Sequence, residues 1–144
     1  MKPNKNQIKG MCLCGNISYK AVLQCFPNEL IPRCCTCDFC VKHKAQYLSD
    51  PKGLLEIFFN DSNLVNIHTQ GSGLAKFILC GNCNTLAGVY FESEDSIYAS
   101  VNLNLCADYP VFGEAVSVTP SALSVSEKSL RWKRLWFKDV KLNA

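Results

Sequence analysis

Ten cysteines occur in this chain of 144 residues, and seven of them fall into three short motifs whose spacing suits metal ligation. Two of the motifs are pairs, Cys12-Leu13-Cys14 and Cys80-Gly81-Asn82-Cys83. In a C-x-x-C knuckle the turn offers backbone N–H groups to the sulfurs and sets both thiolates at tetrahedral spacing, and Gly81 suits such a turn. Four thiolates from two separate turns make a closed, all-cysteine site, which holds structure and does not react. Since 65 residues separate Cys14 from Cys80, a zinc ion there would tie remote strands together, contributing on the order of 10 kcal/mol of coupled folding energy. A C-x-x-C redox pair and buried free thiols are the other readings of these four residues. The third motif spans Cys35-Thr36-Cys37-Asp38-Phe39-Cys40 and brings three thiolates within six residues. A helix starting there would lower their pKa values. Three ligands leave the fourth tetrahedral position for water or a substrate thiol. Closure by Cys34, His43, Cys25 or Cys106 would make this second site structural too.

At about 7% cysteine the competing explanation is a disulfide framework, and compartment decides between the two. The N-terminus is polar and charged and lacks the apolar run of about 7–15 residues that marks a secretory signal. Apolar runs such as Ile57-Phe58-Phe59 and Phe77-Ile78-Leu79-Cys80 fall far short of the ~18 residues of a membrane span. The expectation is a cytoplasmic protein with reduced, metal-binding thiols. Hydrophobic residues at 48% and charged residues at 19% favour a packed core over disorder, and the length fits one domain over residues 1–144. A net charge of +3 and a pI near 8.3 sit below the ~9 typical of dedicated nucleic-acid binders, so such a partner is not expected.

The elements that must position these motifs are mostly strands. Met11, Leu13, Ile17 and Tyr19 alternate around a Cys-Gly-Asn turn, which predicts a hairpin with the first cysteine pair at its tip. Residues 54–59, 65–69, 75–79, 85–91 and 97–103 are rich in β-branched and aromatic residues and read as five more strands. Asp50-Pro51-Lys52-Gly53 and Glu92-Ser93-Glu94-Asp95 are turn signals among them. A short helix is expected from Asp38 to Tyr47, with Asp38 as its cap. The segment from Ser126 to Asn143 is ambiguous by period.

The order G-x-C-x-C-G-x-I-x-Y, C-x-C-x-x-C, F-x-x-C-x-x-C resembles the glutathione-dependent formaldehyde-activating enzyme family, to which centromere protein V-like zinc domains are similar. Here it is carried by Gly10, Cys12, Cys14, Gly15, Ile17 and Tyr19, then Cys35, Cys37 and Cys40, then Phe77, Cys80 and Cys83. The resemblance covers roughly residues 8–105. It implies a β-tent fold of stacked antiparallel sheets and two zinc ions per chain. The structural ion would be held by Cys12, Cys14, Cys80 and Cys83, and a second by Cys35, Cys37 and Cys40, the candidate catalytic residues. It further implies carbon–sulfur lyase activity on a glutathione–formaldehyde adduct of the S-hydroxymethylglutathione type. The chain departs from the family at Thr36, where a histidine is common, at Val41, where an arginine is common, and at Asn84, which replaces a glycine. Asparagine tolerates the left-handed turn best after glycine. The family's ending is not recognisable in residues 106–144.

A thiol arriving at an open three-thiolate zinc would lose its proton on coordination, giving a thiolate positioned to add to an aldehyde carbon. Because three thiolates leave that centre with a net negative charge, a neighbouring donor must stabilise the developing alkoxide. His43, Lys42, Thr36 and Ser72 are candidates by type. His43 otherwise reads as an exposed helix residue, and His68 as a strand-end surface residue or a lining of the substrate cleft. The basic, tryptophan-bearing stretch Lys128–Lys138 reads as a segment packed on the domain with its lysines solvated. Membrane-surface or nucleic-acid binding, or cationic contacts to an anionic thiol such as glutathione, are further uses of it. Competing with the enzyme is a non-catalytic zinc-stabilised interaction module.

Overall fold

The computed structural model describes residues 7–25, 29–70, 73–106, 114–118 and 123–143. Eleven strands form two sheets among these residues. The first sheet runs β1 (Gln7–Met11), β2 (Ile17–Val22), β5 (Leu54–Phe59) and β11 (Asp139–Asn143), in that spatial order. The second takes β10 (Val116–Val118), β3 (Arg33–Cys35), β4 (Tyr47–Leu48), β9 (Ser96–Asn102), β8 (Leu86–Ser93), β7 (Lys76–Cys80) and β6 (Val65–His68). Alternation selects the inward faces: Ile17, Tyr19 and Ala21 of β2 are buried while Lys20 is exposed. These side chains, with Ile8, Leu55 and Ile57, pack against Ile78, Ala87, Ala99 and Val101 of the second sheet.

The hairpin, all five central strands and both turn signals appear where the side-chain pattern places them. Met11 pairs with Ser18 around the first cysteine motif, and Gly15 takes φ +84, a conformation open to glycine. At the second turn the buried Asp50 carboxylate accepts from the backbone N–H groups of Gln24, Cys25 and Lys52 at 2.8 to 3.0 Å. A β-bulge at Ala87, where Ile78 pairs with Gly88 and Leu79 with Leu86, turns β8 so that Leu86, Val89 and Phe91 face away from the first sheet.

Two expectations change. The sheets are mixed instead of purely antiparallel, because β10 runs parallel to β3 and β11 parallel to β5. The helix expected over 38–47 is a single turn and a half, α1 (Asp38–Lys42), capped by Cys37 and not by Asp38. The Cys37 Sγ accepts from the Cys40 N–H, and Lys44 at φ 52 takes the left-handed turn that delivers the chain to β4. The tail packs on the domain, as expected of its basic, tryptophan-bearing stretch, and its ambiguous period resolves into a helix and a strand. Ser124 and Glu127 form a capping box that starts α2 (Val125–Leu135). Trp132 and Trp136 of this segment join Phe91, Phe77 and Tyr47 in a second apolar cluster on the outer face of the larger sheet. Phe137 then exchanges two backbone hydrogen bonds with Ala99, at 2.9 and 3.1 Å, before the chain crosses into β11 of the other sheet.

Phe137 is fully buried and links the two sheets. Phe137→Ala is expected to lower stability by about 3–5 kcal/mol, read from the midpoint of urea unfolding of the zinc-loaded protein.

Candidate metal centres and the cavity beside them

All ten cysteines are free thiols. Cys12 and Cys14 leave the tip of the β1–β2 hairpin, and Cys80 and Cys83 flank the turn after β7. The four sulfurs lie within 4.8 Å of one another. Cys14 is 3.4 Å from Cys80 and 3.7 Å from Cys12. A tetrahedron with Zn–S bonds of ~2.3 Å has edges of about 3.8 Å, so the donor set fits a zinc ion. The second coordination layer is also in place. Ile17 N–H points at Cys12 Sγ, and the N–H groups of Asn82 and Cys83 point at Cys80 Sγ, at 3.3 to 3.5 Å. Asn84 takes φ 58, as its replacement of glycine requires. Gly81 passes so close to the Leu64 backbone that a Cβ would sit 3.1 Å from its carbonyl, which explains the glycine in the knuckle.

Electrostatics prepares these sulfurs unequally. Burial raises Cys80 to about 11. Burial also opposes ionisation of Cys83, yet hydrogen bonds from the Thr85 hydroxyl and nearby backbone outweigh it and bring this thiol down to about 5. The exposed Cys14 is lowered mainly by the Asn82 side chain.

The middle motif gathers the sulfurs of Cys35, Cys37 and Cys40, again within 4.8 Å of one another. Cys35 ends β3, Cys37 caps α1 and Cys40 lies inside α1. No fourth histidine, cysteine, aspartate or glutamate joins them among the described residues. Cys34 pairs through β3 with Ser117. Cys25 lies against Asp50, and Cys106 donates to the Lys9 carbonyl at 2.9 Å. A hydrogen bond from Cys40 lowers Cys35 to about 6, with further help from the Cys37 backbone and the positive charge of Lys128. Cys40 is pushed up in turn, chiefly by its hydrogen bond to Cys35 and then by burial. Tyr47 OH lies 3.1 Å from Cys40 Sγ, and burial holds this phenol protonated. Gln70 Nε2 donates to Cys37 Sγ at 3.4 Å.

The three sulfurs stand at the wall of a cavity of about 250 Å³. Phe77, Val89, Trp132, Leu135 and Trp136 give it an apolar lining. Arg33, Lys128 and Arg131 add three cations, and no carboxylate lines it among the described residues. Arg33 is fixed through Ser49: its Nη2 donates to Ser49 Oγ at 2.6 Å, and that hydroxyl donates to the Leu135 carbonyl at 2.6 Å. Burial, followed by the neighbouring charge of Arg131, brings Arg33 down to about 10.

Of the candidate donors, Thr36, Lys42 and His43 do not line this cavity, and Ser72 lies outside the described residues. Both histidines pack on Phe39 instead. His68 stacks on its ring at 4.1 Å, and His43 meets it tilted at 4.7 Å. His68 Nε2 lies 3.2 Å from Gln70 Oε1, so it stands one residue removed from Cys37. Sequence reasoning missed Gln70 and Tyr47 as donors. It offered the basic stretch as cationic contacts for an anionic thiol but did not place it on a helix, although Lys128, Arg131, Trp132, Leu135 and Trp136 recur at helical spacing on one face.

No protein-family model matches the chain, and no curated protein matches it in sequence. Among solved structures, the crystal structure of a Rhodobacter sphaeroides protein is similar at a TM-score of 0.56 with 18% identity, covering 76% of this chain and 100% of that one. The two share a fold. No helix among the described residues is long and apolar enough to cross a membrane.

Elemental analysis is expected to find two zinc ions per chain, falling to one in Cys37→Ala. Protons compete with metal for thiolates, so affinity falls as pH falls. With three ligands, one of them the reluctant Cys40, the middle centre should release its zinc first on acidification. A chromogenic chelator would show two steps, and Cys37→Ala only the lower-pH one.

Proposed function

We propose that this protein is a zinc-dependent enzyme of the glutathione-dependent formaldehyde-activating type, forming or cleaving the carbon–sulfur bond of a thiol–aldehyde adduct. The observation that carries the reading is the group of three sulfurs, without a fourth protein ligand among the described residues, at the wall of a cavity. Reduced thiols on both enzyme and substrate fit work in the cytoplasm.

A zinc ion held by Cys35, Cys37 and Cys40 would supply a Lewis-acidic centre at which an arriving thiol gives up its proton. In the addition, the S–C bond forms, the C=O π bond becomes a C–O single bond, and the thiol proton ends on oxygen. The cleavage is the reverse, and neither direction needs an oxidant. The chain's own residues then have three tasks. Gln70 Nε2 and the Tyr47 hydroxyl border the sulfurs as neutral donors for the developing alkoxide. The cationic wall receives an anionic substrate. Trp132 and Trp136 shield the reacting atoms from water. Because both tryptophans are buried in this role, a nucleic-acid reading of the basic segment loses its stacking residues.

Exchange between glutathione, formaldehyde and their adduct, followed by NMR, tests the proposal. Zinc-loaded protein should accelerate it, Cys37→Ala should return it to the protein-free rate, and Gln70→Ala should slow it by about 10- to 100-fold. If the wild-type protein leaves the protein-free rate unchanged, the non-catalytic module is the correct reading.

A further inference from the structure

The cavity holds more positive charge than its metal centre requires. Three thiolates around a divalent ion leave one net negative charge, and Arg33, Lys128 and Arg131 exceed it by two. Among the described residues none of the three has a carboxylate partner, and the ion pair found there joins Lys76 to Glu92 on the sheet surface. Among the described residues Arg33 makes one side-chain hydrogen bond, to Ser49, which orients the guanidinium and leaves most of its five donors without a partner there. Two guanidiniums and an ammonium gathered at one low-dielectric wall repel one another unless an anion enters between them. Apart from the Gln70 amide and the Tyr47 hydroxyl beside the sulfurs, the rest of the lining is largely apolar, with the flat rings of Phe77, Trp132 and Trp136.

We propose that Arg33, Lys128 and Arg131 form an anion subsite, so that the thiol accepted here carries a carboxylate on a short apolar body. The inference rests on the thiol chemistry proposed above and adds which thiols are chosen and by which residues. A mercaptocarboxylate entering as thiolate and carboxylate brings the two negative charges that balance the cavity. Its sulfur lies toward Cys35, Cys37 and Cys40. Its carboxylate lies toward the two arginines, where a bidentate contact suits the guanidinium fork. A neutral thiol of equal size leaves the cations uncompensated, and an aminothiol adds to the repulsion.

The chain has two tryptophans, Trp132 and Trp136, and both line this cavity. Their fluorescence therefore reports occupancy without any turnover. Zinc-loaded protein would be titrated with 3-mercaptopropionate, with 2-mercaptoethanol, which lacks the carboxylate, and with propionate, which lacks the thiol. The expected result is at least about tenfold tighter binding of 3-mercaptopropionate than of 2-mercaptoethanol, and saturable, salt-sensitive binding of propionate. Arg131→Gln should abolish the preference by weakening the carboxylate ligands alone. Lys128→Gln, on the same half-exposed helix face, should weaken them less. Equal binding of the two thiols by the wild type, or a preference that survives in Arg131→Gln, overturns the proposal. Should Arg131→Gln fail to fold, the salt dependence of the wild type and the Lys128→Gln titration decide in the same way. Failure of the thiol reading would look different. If no thiol perturbs the absorption bands of a cobalt-substituted middle centre while propionate still binds through Arg131, the anion subsite stands and the thiol chemistry falls.

Discussion

Convergence of four sulfurs from two distant turns is the constraint on which the rest depends. Cys12 and Cys14 come from the first sheet, Cys80 and Cys83 from the second, and an ion shared by the four would fix the corner at which the sheets meet. Closing a loop of this length costs chain entropy that grows only slowly with length, whereas metal coupling contributes on the order of 10 kcal/mol. With that corner set, the inward faces of β2 and β5 pack on those of β7, β8 and β9 in one register.

The tail closes the molecule from the opposite side. Phe137 bridges to Ala99 in one sheet, and β11 at once joins β5 in the other, so the segment before it cannot drift from the outer face of the larger sheet. That face is where the bulge at Ala87 aims Leu86, Val89 and Phe91, and α2 covers it with two stacked tryptophans 4.8 Å apart. Metal loop and helix thus face each other across the cavity because each is anchored to a strand.

Most of the strand set was legible in the sequence because period-two burial is a local signal. Leu54–Phe59 shows this with its observed bounds. Both candidate metal centres were legible too, since the spacing of the cysteines within a motif survives folding. The cap of α1 was misplaced because Cys37 serves as both ligand and cap, a double use that residue preference alone does not reveal. The parallel pairings of β10 and β11 were out of reach, since strand direction in such pairs is decided by where distant segments arrive. For the same reason the cavity could not be foreseen: its walls come from residues near 33, 47, 70, 77, 89 and 131.

The order of these parts along the chain has a consequence for how the protein is made. The loop of Cys35, Cys37 and Cys40 leaves the ribosome well ahead of α2, whose residues complete the wall around it. At typical elongation rates that interval is on the order of ten seconds. For that time the three thiols are present without the helix that covers them, open to free metal and to any electrophile in the cell. With zinc at both centres, as proposed, synthesis of this protein would be tied to zinc supply twice, once to join its sheets and once to occupy the three sulfurs of the middle motif before they meet something else.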